Sequence, residues 1–303
     1  IINGILNNVI GSGTFSKHLG EVICERSGVI NLGVEGMMLI GACTGFIAGN
    51  SFGSPWAGVA AAVVAGALLA LIHAFLTVTL RANQVVSGLA VTLFGTGLSG
   101  YLGQDYVGQP AGAVFGKIAV PLLSDIPIIG SILFKQDALV YISYFLVPLA
   151  AWYFYKTRSG LFLRAMGENP AAVDAAGINV FGLRYLYIVI GGALAGVAGA
   201  YLSLAYAPSW LENMTAGRGW IAVALVIFAL WDPWRAMAGS YLFGGIDALG
   251  FNLQVLGVPV SGFILNMLPY IFTVLVLVLV LKRRGGRSAS PQALGLSYDR
   301  EER

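Results

Sequence analysis

Charged residues are scarce in this chain of 303 residues, since only 10% of it is Asp, Glu, Lys or Arg, against about 25% in an average soluble domain. Apolar residues make up 57%, and the mean hydropathy is +0.81. A soluble domain of this composition would lack the polar groups to cover its surface, and a disordered chain would be far less apolar. The composition excludes both classes and leaves a protein that crosses the bilayer several times.

Cysteine and histidine are also scarce, with two residues of each. If one continuous helix joined Cys24 to Cys43, the two would lie about 28 Å apart, which is too far for a disulfide. His18 and His73 are isolated, so they do not form a metal cluster of the usual spacing. The net charge of +3 is too small and too dispersed for a nucleic-acid interface. We expect no metal, no cofactor and no nucleic-acid partner.

Motifs of catalysis are missing from the sequence. It contains no G-x-x-x-x-G-K-[ST] phosphate-binding loop, no H-E-x-x-H zinc motif and no G-x-S-x-G nucleophile elbow. Its carboxylates are scattered, without a close pair in an apolar segment. The chain is therefore not expected to be an enzyme, and if its transport uses ATP, another chain must hydrolyse it.

Apolar segments are the main feature that is present, because a helix that crosses a bilayer needs about 20 such residues. Eight candidates lie at 29–50, 57–80, 85–103, 138–155, 185–207, 219–231, 236–253 and 262–281. Residues 1–23 have further apolar positions and form either a truncated span or an interfacial helix. We predict an all-α, polytopic transmembrane bundle of about eight to ten spans over residues 1–284. Residues 285–303 are predicted to form a mobile, polar cytoplasmic tail.

The distribution of Lys and Arg predicts the orientation of the bundle, because short cytoplasmic loops are enriched in both. If 156–184 is cytoplasmic, alternation of the eight spans places 12 of the 17 Lys and Arg residues inside and three outside. The bias is consistent across all eight spans. The C-terminus is then cytoplasmic in a multi-pass protein of the cell membrane, and 104–137 is the longest external loop.

Two apolar segments carry small residues at every fourth position, a spacing that lets helix backbones approach closely in lipid. These residues are Gly41, Gly45 and Gly49 in one segment and Gly192, Gly196 and Ala200 in the other. We expect both faces to pack within the bundle, either as ordinary packing or around a path that moves.

Polar side chains in or near the apolar segments are candidates for a solute path. An ionised carboxylate at the bilayer centre costs about 2.5–3.5 kcal/mol, so it should face a cavity, a partner helix or backbone donors. A structural hydrogen bond is the alternative at each position. The residues that we predict to line the path are Asn31, Glu35, Asn83, Gln84, Asp247 and Asn266. Such a lining suits an uncharged solute with hydroxyl groups.

The segment 156–184 carries the strongest local signal. Asn169 is a good N-cap, Pro170 suits the first helical position, and Gly177 is placed to end a helix in a left-handed conformation. The sequence predicts a short helix at 170–176 with small residues on its surface. Such a helix either docks into a groove of a partner or is an ordered surface helix without one.

Four strings of the sequence resemble the permease subunits of ABC importers that serve branched-chain amino acids, simple sugars and nucleosides. They are Glu25–Met38, Ala82–Gly88, Gly167–Ile178 and Gly217–Ala222. Their combination resembles the sugar and nucleoside branch, and the resemblance runs from about Glu21 to Arg284.

The resemblance implies a permease subunit, without its own ATPase, that moves a nucleoside or a simple sugar across the cytoplasmic membrane. The implied partners are ABC ATPase subunits, a second permease of the same or homologous sequence, an extracytoplasmic substrate-binding lipoprotein and the lipid bilayer. The helix at 169–177 would be the coupling helix, which transmits closure of the ATPase to the spans. The implied coupling residues are Gly167, Glu168, Asn169, Pro170, Ala172, Asp174 and Gly177.

Two alternative functions remain open at this point. A secondary transporter driven by an ion gradient needs carboxylates in the membrane, and Glu35 with Asp247 could serve. An ABC permease for branched-chain amino acids would have the same architecture and a different solute. A membrane enzyme is disfavoured, because the sequence has no cluster of acid–base or metal-binding groups.

Overall fold

Helices dominate the fold of the computed structural model, which describes residues 15–124, 126, 130, 133–255, 261–283 and 290–300. The helices are α1 (Phe15–Arg26), α2 (Val34–Phe52), α3 (Pro55–Ala74), α4 (Gln84–Gly103), α5 (Ala138–Lys156), α6 (Arg158–Glu168), α7 (Pro170–Ala175), α8 (Val180–Tyr201), α9 (Arg218–Ala229), α10 (Pro233–Val255) and α11 (Gly262–Arg283). Each of the eight predicted spans overlaps a different one of these helices. The prediction of an all-α membrane bundle is confirmed.

Two of the long helices end in a short π-helical turn, Phe75–Thr79 after α3 and Leu202–Tyr206 after α8. Together with the 3₁₀ turn after α4, these turns lengthen the helical stretches. Within the described part of the chain, four stretches are long and apolar enough to cross a membrane: Pro55–Thr79, Gln84–Tyr106, Ala138–Lys156 and Val180–Tyr206.

The segment predicted as a span at 219–231 forms α9 with nearly the predicted bounds, but this helix does not span the membrane by itself. Helix α9 has 12 residues and is therefore about 18 Å long, which is too short to cross the hydrocarbon core. Its ends are set by the backbone, because Gly217 before it and Leu230 after it both have left-handed conformations. The apolar residues at 219–231 did not reveal either break.

A non-helical segment at 207–217 leads into α9 and is held against the bundle by hydrogen bonds. At one end, the amide of Gly108, in the loop after α4, donates to the carbonyl of Trp210 at 2.8 Å. At the other end, after α9, the indole of Trp231 donates to Glu25 of α1 at 2.6 Å. Irregular backbone is tolerated at membrane depth only where protein or a cavity surrounds it. Accordingly, Trp210 is fully buried.

The centre of the bundle is made by α2, α3 and α8, which pack through their small residues. A Cβ atom at Gly41 of α2 would lie 2.5 Å from the carbonyl oxygen of Gly196 in α8. A Cβ atom at Gly192 would lie 2.7 Å from the carbonyl oxygen of Gly66 in α3. The backbones therefore touch, and the expectation that the two small-residue faces pack within the bundle is confirmed.

The loop between α4 and α5 contains the described strands, β1 (Ile118–Ala119) and β2 (Lys135–Gln136). They pair antiparallel, with Ile118 opposite Gln136. The hydroxyl of Tyr141, in the first turn of α5, donates to the carbonyl of Ile118 at 2.8 Å, which fixes this hairpin to the bundle.

Residues 290–300 do not form the mobile tail that the sequence predicts. The amide of Ala293 donates to the carbonyl of Gly167 at 2.8 Å, and the amide of Gly295 donates to the carbonyl of Gly28 at 3.2 Å. The prediction failed because it judged the segment by its local polarity, whereas its partners lie more than 100 residues away in the chain.

Candidate functional site

The short helix α7 begins and ends much as the sequence predicts. The side-chain oxygen of Asn169 accepts from the amide of Ala172 at 3.0 Å, and Pro170 occupies the first helical position. The helix ends at Ala175, one residue before the predicted end, and Gly177 follows with a φ of +80°. An N-cap with proline and a left-handed glycine therefore limit the helix.

Helix α7 has one buried residue and an exposed face of small side chains. Val173 is buried in an apolar cluster with Met166 of α6 and Tyr298 of the C-terminal segment. Ala172 and Ala175 are exposed. Because this face has no large side chains, a partner chain can approach the helix backbone closely.

The predicted coupling residues before α7 contact the end of α1. Gly167 packs on the carbonyl of Arg26, where a Cβ atom would overlap that oxygen. The guanidinium of Arg26 lies 3.8 Å from the carboxylate of Glu168 and donates to the carbonyl of Trp231 at 3.2 Å. The loop thus rests on α1 and on the segment that follows α9.

Asp174, another predicted coupling residue, is held by the C-terminal segment. Arg300 donates to both carboxylate oxygens of Asp174, at 2.6 and 2.9 Å, and the hydroxyl of Tyr298 donates to one of them at 2.9 Å. The hydrogen bonds to Asp174 raise the pKa of the Arg300 guanidinium above its ordinary value. The guanidinium is therefore charged throughout the physiological pH range.

The string Glu25–Met38 lies where the other family strings meet. The amide of Ile30 donates to the side-chain oxygen of Gln84 at 2.8 Å. The carbonyl of Leu32 accepts from the hydroxyl of Thr92 at 2.8 Å. Asn83 caps the start of α4 by accepting from the amides of the second and third residues that follow it. The loop between α1 and α2 is therefore joined to α4 by the side chains of Gln84 and Thr92.

Glu35 joins the start of α2 to the start of α9. Its carboxylate accepts from the hydroxyl of Thr215 at 2.5 Å and from the amides of Gly217 at 2.8 Å and Gly219 at 2.5 Å. The N-terminal amides of a helix carry partial positive charge and favour an anion. The residue is only 4% exposed, and these three donors satisfy both of its carboxylate oxygens.

The predicted path residues are spread over separate contacts in the described part of the chain. Asn31 is buried and donates to Glu21 of α1 at 3.3 Å, a different partner from those of Glu35 and Gln84. The side chains of Asp247 and Asn266 lie outside the described residues. The four described residues have hydrogen bonds of the structural kind, and their place in a solute path stays a prediction.

Several contact residues were missed by the sequence reasoning. Tyr298 and Arg300 carry no local motif, and Thr215 lies just before the family string that starts at Gly217. Glu25 and Arg26 lie inside a family string, so the string itself could have identified them. In the described residues, no group of three or more His, Cys, Asp and Glu side chains is placed to hold a metal.

The comparison with known protein families covers all four of the strings named above. Residues 18–281 match the family described as the branched-chain amino acid transport system permease component. No solved structure matches the chain significantly.

Three relatives align with nearly the whole chain. A protein of Haloferax volcanii, provisionally named a glucose ABC transporter permease, is 41% identical over 98% of both chains. The nucleoside ABC transporter permease protein NupC of Lactococcus lactis is 38% identical over 92% of this chain and 91% of its own. The guanosine ABC transporter permease protein NupQ of Bacillus subtilis is 35% identical over the same shares.

Membership of this family disfavours a secondary transporter, and Glu35, one of the two carboxylates considered for ion coupling, is held by donors at the start of α9. The match over most of the sequence, the bundle of apolar helices and the capped helix α7 agree with one another. The chain belongs to the branched-chain amino acid transport system permease family and is a multi-pass membrane permease subunit of an ABC importer.

Proposed function

We propose that this permease moves a nucleoside across the cytoplasmic membrane and that a partner ATPase drives it by pushing on α7. The observation that carries the proposal is the construction of α7, which has a capped start, a left-handed end and an exposed face of alanines. A simple sugar is the second candidate solute, because the relative from Haloferax volcanii is named for glucose.

The nucleoside is placed first because two of the three relatives are named for nucleosides. Branched-chain amino acids come last, since none of these three names mentions them. The solute passes between two permease subunits of identical or homologous sequence, and an extracytoplasmic binding lipoprotein delivers it. The C-terminus and the α6–α7 loop face the cytoplasm in this arrangement, as the distribution of Lys and Arg favours.

The role of α7 can be tested with Ala172→Trp, which places a bulky side chain on the exposed face of the helix. The matched control is Ala119→Trp, at an exposed alanine of β1 in the loop between α4 and α5. Membrane vesicles that contain the permease, its ATPase and its binding protein are assayed for ATP hydrolysis and for uptake of labelled nucleoside.

We expect Ala172→Trp to lower the uptake per ATP hydrolysed about tenfold and to leave the amount of permease in the membrane unchanged. Ala119→Trp should behave like the wild type. Normal uptake by the Ala172→Trp variant would remove the coupling role, and uptake that follows an imposed ion gradient without ATP would remove the ABC mechanism. Competition by unlabelled nucleosides, glucose and leucine ranks the three solutes.

The orientation of α7 is tested separately by Ala172→Cys. Cys24 and Cys43 are both buried, so the new exposed thiol should dominate the labelling by a charged maleimide. Labelling only in inside-out vesicles is expected. Labelling of intact cells would place the loop on the outside and contradict the proposal.

A further inference from the structure

The C-terminal segment 290–300 is fixed on the bundle along its whole length. Gln292 donates its amide to Glu168 at 3.3 Å, and the backbone bonds of Ala293 and Gly295 follow. Arg81, just before α4, forms an ion pair with Asp299, and Arg300 then pairs with Asp174. The segment thus joins α1, α4 and the α6–α7 loop, and we name it the C-terminal strap.

The strap and the start of α7 together form a groove of about 330 Å³. Residues 168–171 make one wall, and the strap from Gln292 to Ser297 makes the other. Neither wall would form a groove alone. The groove therefore exists only because the strap folds back on the loop.

One wall of the groove carries an exposed leucine outside the predicted spans. Leu296 is 60% exposed, although it lies on the strap and outside the apolar spans. Its carbonyl accepts from the guanidinium of Arg184 at 3.3 Å and from the side chain of Gln84 at 3.5 Å. Because the backbone is already held, the leucine can bind a partner with little loss of chain entropy.

The opposite wall carries two polar residues, Glu168 and Asn169, beside Pro170 and Ala171. The side chain of Glu168 is 47% exposed, and Asn169 beside it is exposed as well. A half-exposed carboxylate opposite a fixed leucine suits a protein segment that places an apolar side chain next to a Lys or Arg.

We propose that the C-terminal strap is part of the docking surface for the ATPase subunit. The ATPase inserts into this groove a segment that has an apolar side chain next to a Lys or Arg. The inference rests on the proposed coupling role of α7, because the groove shares residues 168–171 with the coupling loop. The ATPase then contacts α7 and the strap together, and the strap passes the displacement on to α1 and α4.

The test measures how much tagged ATPase copurifies with the permease from detergent-solubilised membranes. Leu296→Asp removes the apolar contact, and Ser297→Trp fills the groove from an exposed position. The matched control is Leu122→Asp, since Leu122 is also an exposed leucine outside the helices but lies in the loop between α4 and α5. Size-exclusion profiles of the permease check that each variant is folded.

We expect both strap variants to retain about tenfold less ATPase than the wild type, a loss of the size found for a central interface residue. Leu122→Asp should retain the wild-type amount. If both strap variants retain normal ATPase while Ala172→Trp still uncouples transport, the strap is not part of the docking surface and the coupling role of α7 stands. If the wild type itself retains no ATPase and its uptake ignores ATP, the proposed function is wrong and this inference falls with it.

Discussion

The contact between α2 and α8 and the contact between the C-terminal strap and the α6–α7 loop use different atoms. In the first, glycines bring two backbones together, with Gly41 on Gly196. In the second, side chains bridge the gap, with Arg300 on Asp174 and Gln292 on Glu168. Backbone contacts in lipid have no alternative partner, whereas the guanidinium of Arg300, which is 57% exposed, can exchange the carboxylate of Asp174 for water and ions. The first contact therefore fixes the bundle, and the second is suited to rearrangement by a partner.

The largest effect is expected at the backbone contact. Gly41→Leu would drive a side chain into the carbonyl of Gly196, and such overpacking costs about 3 kcal/mol. We expect most of the variant to be lost from the membrane and the remainder to melt earlier in detergent. Gly97→Leu, on α4, is the control because a Cβ atom there meets nothing within 4 Å. Equal stability of the two variants would contradict the close packing of α2 on α8.

Glu35→Ala comes next, because it leaves the buried donors at the start of α9 without an acceptor. The loss is about 2–3 kcal/mol in the free energy of unfolding, measured as a lower melting temperature in detergent. Glu35→Gln keeps one oxygen acceptor and should recover part of the loss. Glu212→Ala, at an exposed residue of the same non-helical segment, should change stability little. A solute-path residue would show the opposite pattern, with normal stability and altered uptake.

An intermediate effect is expected from Asn169→Ala, which removes the N-cap of α7. Loss of such a cap costs about 1 kcal/mol, confined here to a short helix, so the uptake per ATP should fall while the melting temperature changes little. Asn169→Asp keeps the capping oxygen and should restore the ratio. Asn179→Ala removes the equivalent cap of α8 and should leave the ratio unchanged. A lowered ratio in Asn179→Ala would show that the readout is not specific to α7.

The smallest effect on stability is expected at the strap. Arg300→Ala removes a guanidinium that is 57% exposed, while the 5% exposed side chain of Asp174 keeps its hydrogen bond from Tyr298, so the melting temperature should fall only slightly. The strap should instead open more often, so hydrogen exchange at the amides of Ala293 and Gly295, which donate to Gly167 and Gly28, should be severalfold faster. Raised salt should have the same effect on the wild type, because it screens the ion pair. Arg235→Ala, at an exposed arginine of α10, is the control. If its opening rate equals that of Arg300→Ala, the pair of Arg300 with Asp174 does not hold the strap.

Local signals predicted α7 well, because an N-cap, a first-turn proline and a left-handed glycine act within ten residues of one another. The same kind of reasoning took α9 for a membrane span, although the helix has only 12 residues and its apolar segment runs past the backbone break at Leu230. It failed again at the strap, which has no apolar periodicity. In both places the conformation depends on partners far away in the sequence.

The candidate site divides in the same way. The sequence selected Glu168, Asn169 and Asp174 as members of one loop, since they are adjacent in the chain. It did not indicate that Asp174 is bound by Arg300 or that Glu35 accepts a hydrogen bond from an amide at the start of α9. Each of those pairs is separated by more than 120 residues, and one sequence contains no information on which distant donor meets which carboxylate.

By itself, the sequence determined that this is an all-helical membrane protein with a short capped helix in a basic loop. Composition, apolar run length and capping residues act locally, so they can be read from the chain alone. Only the tertiary structure decided that α9 starts inside the bundle at Glu35, that glycines of α2 and α8 touch and that the strap closes a groove over α7. These features depend on matching shapes and charges between distant segments, and that match exists only once the helices have packed.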